Sequence, residues 1–112
     1  MKASVFVALF AALALAVYVP ATLHAQNAAA GKEVYAKKCQ TCHAADGSGN
    51  PAIAKAMKLE LKHLGSEDVQ KKSDAELKKD ITSGFGKMKP VAGVSGADLD
   101  NVVAHLRTLK KK

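Results

Sequence analysis

Both cysteines of this 112-residue chain fall within five consecutive residues, Cys39-Gln40-Thr41-Cys42-His43. Two cysteines form at most one intramolecular disulfide, which excludes a scaffold held together by several disulfides. The chain is long enough for one small domain, and a domain of this size buries only about 60% of the surface that its unfolded chain exposes. Small domains of this kind usually need a disulfide, a metal or a cofactor to complete the core.

The first 25 residues have the pattern of a secretory signal peptide. Lys2 precedes fifteen apolar residues, Val5 to Val19, and the small residue Ala25 follows at a suitable distance for cleavage. The apolar run is short for a bilayer span, which needs about 20 residues, so an uncleaved membrane anchor is the second choice. Cleavage after Ala25, preferred over a later site at 28–30, leaves one domain over 26–112. We therefore predict an exported, periplasmic protein with no membrane span after cleavage.

Beyond the leader, the apolar residues follow helical spacing, and no alternating run is long enough to predict a strand. A first helix runs from Gly31 into the cysteines, and a second carries an apolar stripe over 53–64 that ends at Gly65. The pattern Ser-x-x-Glu at 73–76 is a capping box that opens a third helix, and a weaker box at 95–98 opens the last. The prediction is an all-α domain of about four helices. Since Tyr35 and Phe85 are the only aromatic residues after residue 25, a non-protein group is expected to fill the middle.

The spacing Cys39-x-x-Cys42-His43 is the attachment signature of a c-type haem. Two thiols separated by two residues at a helix end can reach both vinyl-bearing edges of one porphyrin, and His43 then offers an imidazole to the iron. A structural zinc site needs four Cys or His ligands, and a thioredoxin-like motif needs a βαβ context, which is not predicted here. A thiol redox module without haem remains as an alternative class.

The motif and its surroundings resemble the small, monohaem, bacterial class I c-type cytochromes. The resemblance rests on Gly31 and Tyr35 before the motif, the motif itself, the loop Met88-Lys89-Pro90, and a last helix ending in Leu-Arg-Thr-Leu at 106–109. It implies an all-α fold that wraps one covalent haem c, with the first and last helices crossing beside it. Cys39 and Cys42 would form the thioethers and His43 would be the proximal iron ligand. It also implies that the carbonyl of Pro51 holds the proximal imidazole.

Five residues are candidates for the sixth iron ligand: Met57, Met88, His24, His63 and His105. His24 leaves with the leader, Met57 lies on the apolar stripe of the second helix and is expected in the core, and His63 lies near the end of that helix. His105 is expected to pack against the first helix near Gly31 or Tyr35. Met88 lies in a loop between glycine and proline residues, where the resembling family places its ligand, so we predict that Met88 is the distal ligand.

A haem with both axial positions filled has no open position for oxygen or peroxide, which predicts an electron carrier rather than an enzyme. If Met88 does not bind, the alternative is a five-coordinate haem protein that binds small gases or has weak peroxidase activity. The net charge after cleavage is +6, and Lys37, Lys38, Lys87 and Lys89 flank the proposed site. These lysines predict transient binding to acidic-faced redox proteins, such as a reductase or terminal oxidase. Nucleic acid is not expected as a partner, and the protein is expected to be a monomer.

Overall fold

The computed structural model describes residues 26–111, and the predicted signal peptide at residues 1–25 lies outside the described residues. The described chain contains six helical segments: α1 (Ala28–Lys38), α2 (Gln40–His43), α3 (Pro51–Met57), α4 (Glu67–Gln70), α5 (Asp74–Ser83) and α6 (Gly96–Thr108). Within these residues the only β-type pairing is an isolated bridge between Phe85 and Met88. The all-α prediction is confirmed. The four predicted helices correspond to α1, α3, α5 and α6, whereas the single turns α2 and α4 were not predicted.

Helices α1 and α6 cross at very short range. The backbone of Asn27 donates to the side-chain oxygen of Asn101 at 2.9 Å, which ties the start of α1 to α6. At Gly31 an added Cβ would lie 1.8 Å from the carbonyl oxygen of Asn101. The absence of a side chain therefore permits the crossing, which buries Tyr35, Val102 and Val103 almost completely.

The two predicted capping boxes have different outcomes. At the start of α5, the Ser73 hydroxyl accepts from the backbone of Glu76, and the Glu76 carboxylate accepts from the backbone of Ser73 at 2.7 Å. The Ser95 side chain makes no capping hydrogen bond, and Gly96 begins α6 with φ of +54°. Only the first box is confirmed, and α5 buries Leu77 and Ile81.

The prediction of a long second helix through residue 64 is wrong. Helix α3 ends at Met57, and Lys58 caps it in the left-handed conformation with φ of +51°. None of the side chains of α3 is buried, so no core contact stabilises a longer helix. The chain continues instead as an irregular segment, and the backbone of Leu64 donates to the carbonyl of Gly47 at 2.9 Å.

Among the helices of residues 26–111, none is long and apolar enough to cross a membrane.

Candidate functional site

A cavity of about 400 Å³ lies beside the α1–α6 crossing. Its walls come from α1, α2, α4, α5 and α6, and from the irregular segments 59–64 and 85–88. Apolar side chains dominate this lining: Leu59, Leu61, Leu64, Val69, Leu77, Ile81 and Leu106. Three of the four predicted site residues, Cys39, His43 and Met88, line the same cavity. The fold thus brings together groups that are up to 49 residues apart in the sequence.

His43, the last residue of α2, is half-buried at the cavity wall. Burial lowers the pKa of its imidazole, which favours the neutral form that ligates metals. Its Nδ1 atom is buried and has no hydrogen-bond partner among residues 26–111. The expected hydrogen bond to the carbonyl of Pro51 is therefore not present; Pro51 instead forms the first turn of α3.

The backbone at the end of α2 is held by the loop that follows it. Asn50 donates through its side chain to the carbonyl of Thr41 at 3.1 Å and through its backbone to the carbonyl of Cys42 at 2.8 Å. The backbone of Gly49 donates to the carbonyl of His43 at 2.9 Å. Sequence reasoning did not identify Asn50 as part of the site, although an Asn-Pro pair at a helix start is a recognisable capping signal.

The two cysteines have different surroundings. Cys39 is half-buried, packs against the core and lines the cavity, whereas Cys42 is exposed and is not part of the lining. The two are not joined by a disulfide. Burial, with a smaller contribution from Cys42, raises the pKa of the Cys39 thiol to about 11. Because the thiolate is the reactive form in disulfide exchange, Cys39 is a poor attacking nucleophile.

Met88 lies in a tight turn at the side of the cavity formed by residues 85–88. The backbone of Phe85 donates to the carbonyl of Met88 at 3.0 Å, and the backbone of Met88 donates to the carbonyl of Phe85 at 2.9 Å. Gly84 has φ of +83°, and a Cβ there would lie 2.6 Å from the carbonyl oxygen of Met88. The predicted glycine-dependent loop is present, and it leaves the Met88 side chain half-buried in the cavity lining.

Three other candidate ligands, Met57, His63 and His105, lie outside the cavity lining, and His24 lies outside the described residues. Met57, which was expected in the core, is 42% exposed because it is the last residue of a helix that makes no buried contact, so that prediction is wrong. His63 lies in the irregular segment, where its Nδ1 accepts from the backbone of Gly65 at 2.9 Å. His105 packs against Tyr35 with ring centroids 5.0 Å apart, which confirms its predicted contact with the first helix.

Charged side chains lie around the apolar lining. Lys62 pairs with Asp68 at 3.3 Å, and Lys72 pairs with Asp80 at 2.7 Å. Lys87 is exposed, and its Nζ lies 3.3 Å and 3.4 Å from the carbonyl oxygens of the last turn of α3. This ammonium joins the turn that carries Met88 to the end of α3, immediately before the cavity-lining segment 59–64.

Comparison with known proteins assigns the family. A family model described as cytochrome c matches residues 28–110, which include the motif, the cavity walls and the turn at 85–88. The chain belongs to the cytochrome c family. Cytochrome c6 of Picosynechococcus sp. is 35% identical over 107 residues, covering 84% of this chain and 89% of that protein. Cytochrome c-554(547) of Halothiobacillus neapolitanus is 36% identical over 91 residues, covering 77% of this chain and 100% of that protein.

A solved structure supports the same assignment. The KustC0563 c-type cytochrome matches with a TM-score of 0.60 and 25% identity, over 72% of this chain and 98% of that chain. The protein is thus a small class I c-type cytochrome with covalently bound haem c. The described cavity fits such a group: its lining is mostly apolar, and the half-buried imidazole of His43 lies in its wall.

Proposed function

We propose that this cytochrome is a periplasmic one-electron carrier, with haem attached through Cys39 and Cys42 and iron ligated by His43 and Met88. The observation that carries the proposal is that His43 and Met88, 45 residues apart in sequence, line one cavity. Family membership supports a c-type haem in the domain. The cysteine pair and the adjacent histidine have the spacing that haem attachment requires.

The bound haem supplies a one-electron ferric/ferrous couple, whose potential is raised by His/Met ligation relative to two imidazoles. The chain supplies a neutral imidazole from His43 and a thioether from Met88. Apolar side chains such as Leu77, Ile81 and Leu106 exclude water from the cavity between them. If His43 and Met88 both bind the iron, they would leave no position for a substrate, so the proposed role is electron transfer and not catalysis.

The test is an absorption spectrum of holoprotein exported from a host with haem-attachment machinery. We compare wild type, Met88→Ala and Met57→Ala, because Met57 is exposed and is not part of the cavity lining. Wild type and Met57→Ala should show a c-type haem with the weak far-red band of methionine–iron ligation. Met88→Ala should keep the haem and lose that band.

Two other results would contradict the proposal. Haem without the far-red band in wild type, together with carbon monoxide binding by the native reduced protein, would favour a five-coordinate gas-binding protein. A colourless protein from a host that matures other c-type cytochromes would favour a thiol redox module.

The proposed location depends on residues 1–25, which lie outside the described structure. Cleavage after Ala25 predicts a mature chain that begins at Gln26, comprises the domain 26–112 and is released with the periplasmic fraction. Intact-mass measurement of the purified cytochrome tests this. A chain that retains residues 1–25 and sediments with membranes would show that the leader is an anchor.

We further propose that the cytochrome acts as a monomer and binds acidic-faced redox proteins transiently. The ion pairs of residues 26–111 involve other cations, so Lys37, Lys38, Lys87 and Lys89 carry no paired carboxylate there, although Lys87 also contacts the end of α3. Basic groups near the cavity should speed encounter with an anionic partner and make its rate sensitive to salt. Reduction of hexacyanoferrate(III) should therefore slow as ionic strength rises, whereas oxidation by a cationic cobalt complex should not.

A further inference from the structure

The residue that follows His43 has an unusual backbone conformation. Ala44 has φ of +61° and ψ of +166°. This combination of positive φ and extended ψ is a region that is essentially restricted to glycine, because the Cβ of an L-residue collides with its own backbone there. Such a conformation persists only where the surrounding structure imposes it. The strained peptide lies immediately beside the proposed proximal ligand.

A buried tyrosine of α1 donates a hydrogen bond to this residue. The hydroxyl of Tyr35 donates to the carbonyl oxygen of Ala44 at 2.5 Å, and the Tyr35 side chain is 1% exposed. The backbone of Ala44 also donates to the carbonyl of Gln40 at 2.9 Å, and Gly47 donates to the carbonyl of Ala44 at 3.2 Å. Tyr35 supplies the only side-chain hydrogen bond to this peptide within residues 26–111.

The hydroxyl is not needed for the packing of the ring. Tyr35 fills the crossing of α1 and α6 beside Val102 and Val103, and a phenylalanine ring would occupy the same volume. Burial is the main reason that the pKa of Tyr35 is raised to about 12, so the hydroxyl remains a proton donor at every physiological pH. A buried hydroxyl requires an acceptor, and here the acceptor belongs to the strained residue.

We infer that Tyr35 is a positioning residue for the iron ligand: its hydroxyl fixes the Ala44 peptide in its strained conformation and thereby sets the orientation of the His43 imidazole. The inference rests on the proposed ligation by His43. The hydrogen bond between Tyr35 and Ala44 connects the crossing of α1 and α6, where the core lies, to the wall of the cavity that would hold the haem. The strain at Ala44 and the hydrogen bond from Tyr35 are then two parts of one device.

Four variants of the holoprotein separate these parts. Tyr35→Phe removes the hydroxyl and keeps the ring, whereas Ala44→Gly removes the Cβ that makes the conformation strained. The double variant carries both changes. Ala45→Gly is the matched control, because Ala45 is the exposed neighbour and does not have positive φ. It carries the same entropic cost of a new glycine without relief of strain.

Two readouts are used: denaturant unfolding, and the hyperfine-shifted ring-proton resonances of His43 in the ferric protein. Relief of strain should make the unfolding equilibrium constant of Ala44→Gly about tenfold smaller than that of Ala45→Gly. Loss of the hydroxyl should raise the unfolding constant of Tyr35→Phe about fivefold to tenfold. Tyr35→Phe should also shift the His43 resonances beyond the range spanned by wild type and Ala45→Gly. In the double variant the His43 resonances should differ from those of wild type by more than in Tyr35→Phe, because glycine at position 44 without the Tyr35 hydroxyl has more conformational freedom.

Either of two results would overturn the inference. Unchanged His43 resonances in Tyr35→Phe would show that the hydroxyl stabilises the fold without orienting the ligand. Equal stability of Ala44→Gly and Ala45→Gly would show that no strain is stored at Ala44. Failure of the proposed ligation itself is distinguishable, since wild type would then lack hyperfine-shifted His43 resonances altogether.

Discussion

Replacement of Gly31 by alanine tests the helix crossing on which the cavity depends. Inside a helix this change normally stabilises by about 1 kcal/mol, because alanine has the higher helix propensity. At this position, however, the new Cβ would lie 1.8 Å from the carbonyl oxygen of Asn101 and 2.9 Å from the next backbone nitrogen. The obstacle is backbone, so no rotation of a side chain can relieve it.

The size of the effect follows from this distance. Carbon and oxygen atoms in ordinary contact are about 3.5 Å apart, so α1 and α6 must separate by roughly 1.7 Å or distort. Overpacking of a core costs about 1–3 kcal/mol, and a rigid backbone obstacle favours the upper end. After subtraction of the propensity gain, we expect Gly31→Ala to destabilise the protein by about 2 kcal/mol.

The assay is denaturant unfolding of the holoprotein followed by far-ultraviolet circular dichroism, with linear extrapolation to water. Ala36→Gly, at an exposed position inside α1, is the control for helix propensity and should destabilise by about 1 kcal/mol. A Gly31→Ala protein as stable as wild type, or more stable, would show that the crossing does not need a glycine and would refute the packing argument.

Three further predictions concern other parts of the domain. Burial lowers the pKa of His105, so as the pH falls the unfolded chain takes up a proton before the folded one does. The free energy of unfolding should therefore fall as the pH drops below about 6.5. Denaturant unfolding at pH 7 and pH 5 should show a smaller loss of stability in His105→Phe than in wild type. Lys87→Gln should speed the binding of added imidazole to the ferric protein a few-fold, because it removes the contact between Lys87 and the end of α3. Lys89→Gln removes the same charge nearby and should leave the binding rate unchanged. Equal binding rates of the two variants in stopped-flow measurements would contradict this prediction. Ser73→Ala should lower the free energy of unfolding by about 1 kcal/mol, because it removes the cap of α5. Ser95→Ala should change it by less than about 0.5 kcal/mol, because Ser95 makes no capping hydrogen bond. Similar losses for the two variants in denaturant titrations would contradict this difference in capping.

Local chemistry accounts for what the sequence predicts correctly. The attachment motif is a contiguous pattern, and its meaning depends on five neighbouring residues. The cap at Ser73 and Glu76 needs only groups three residues apart. The loop that carries Met88 follows from glycines that would interrupt any helix. The all-α class also follows from local spacing, because helical periodicity can be recognised within a few turns.

The length of α3 depends on long-range packing. The apolar stripe that includes Met57 has helical spacing, yet the helix ends at that residue because no core surface lies beside it. Leucines of the same stripe leave the helix and line the cavity wall. Spacing alone cannot distinguish a helix that is buried along its length from one that stops, since the difference lies in contacts with distant residues.

The relation between distant segments is also decided by the tertiary structure. The sequence by itself determined the haem motif, the helical class and the glycine-bearing loop, because each is set by residues close together in the chain. Only the folded structure shows that Gly31 meets the backbone of Asn101, and that the hydroxyl of Tyr35 reaches the carbonyl of Ala44. It also decides that His43 and Met88 line one cavity. The meeting of Gly31 with Asn101 and of His43 with Met88 requires closing long loops, and the packing of α1 against α6 is a property of the whole core.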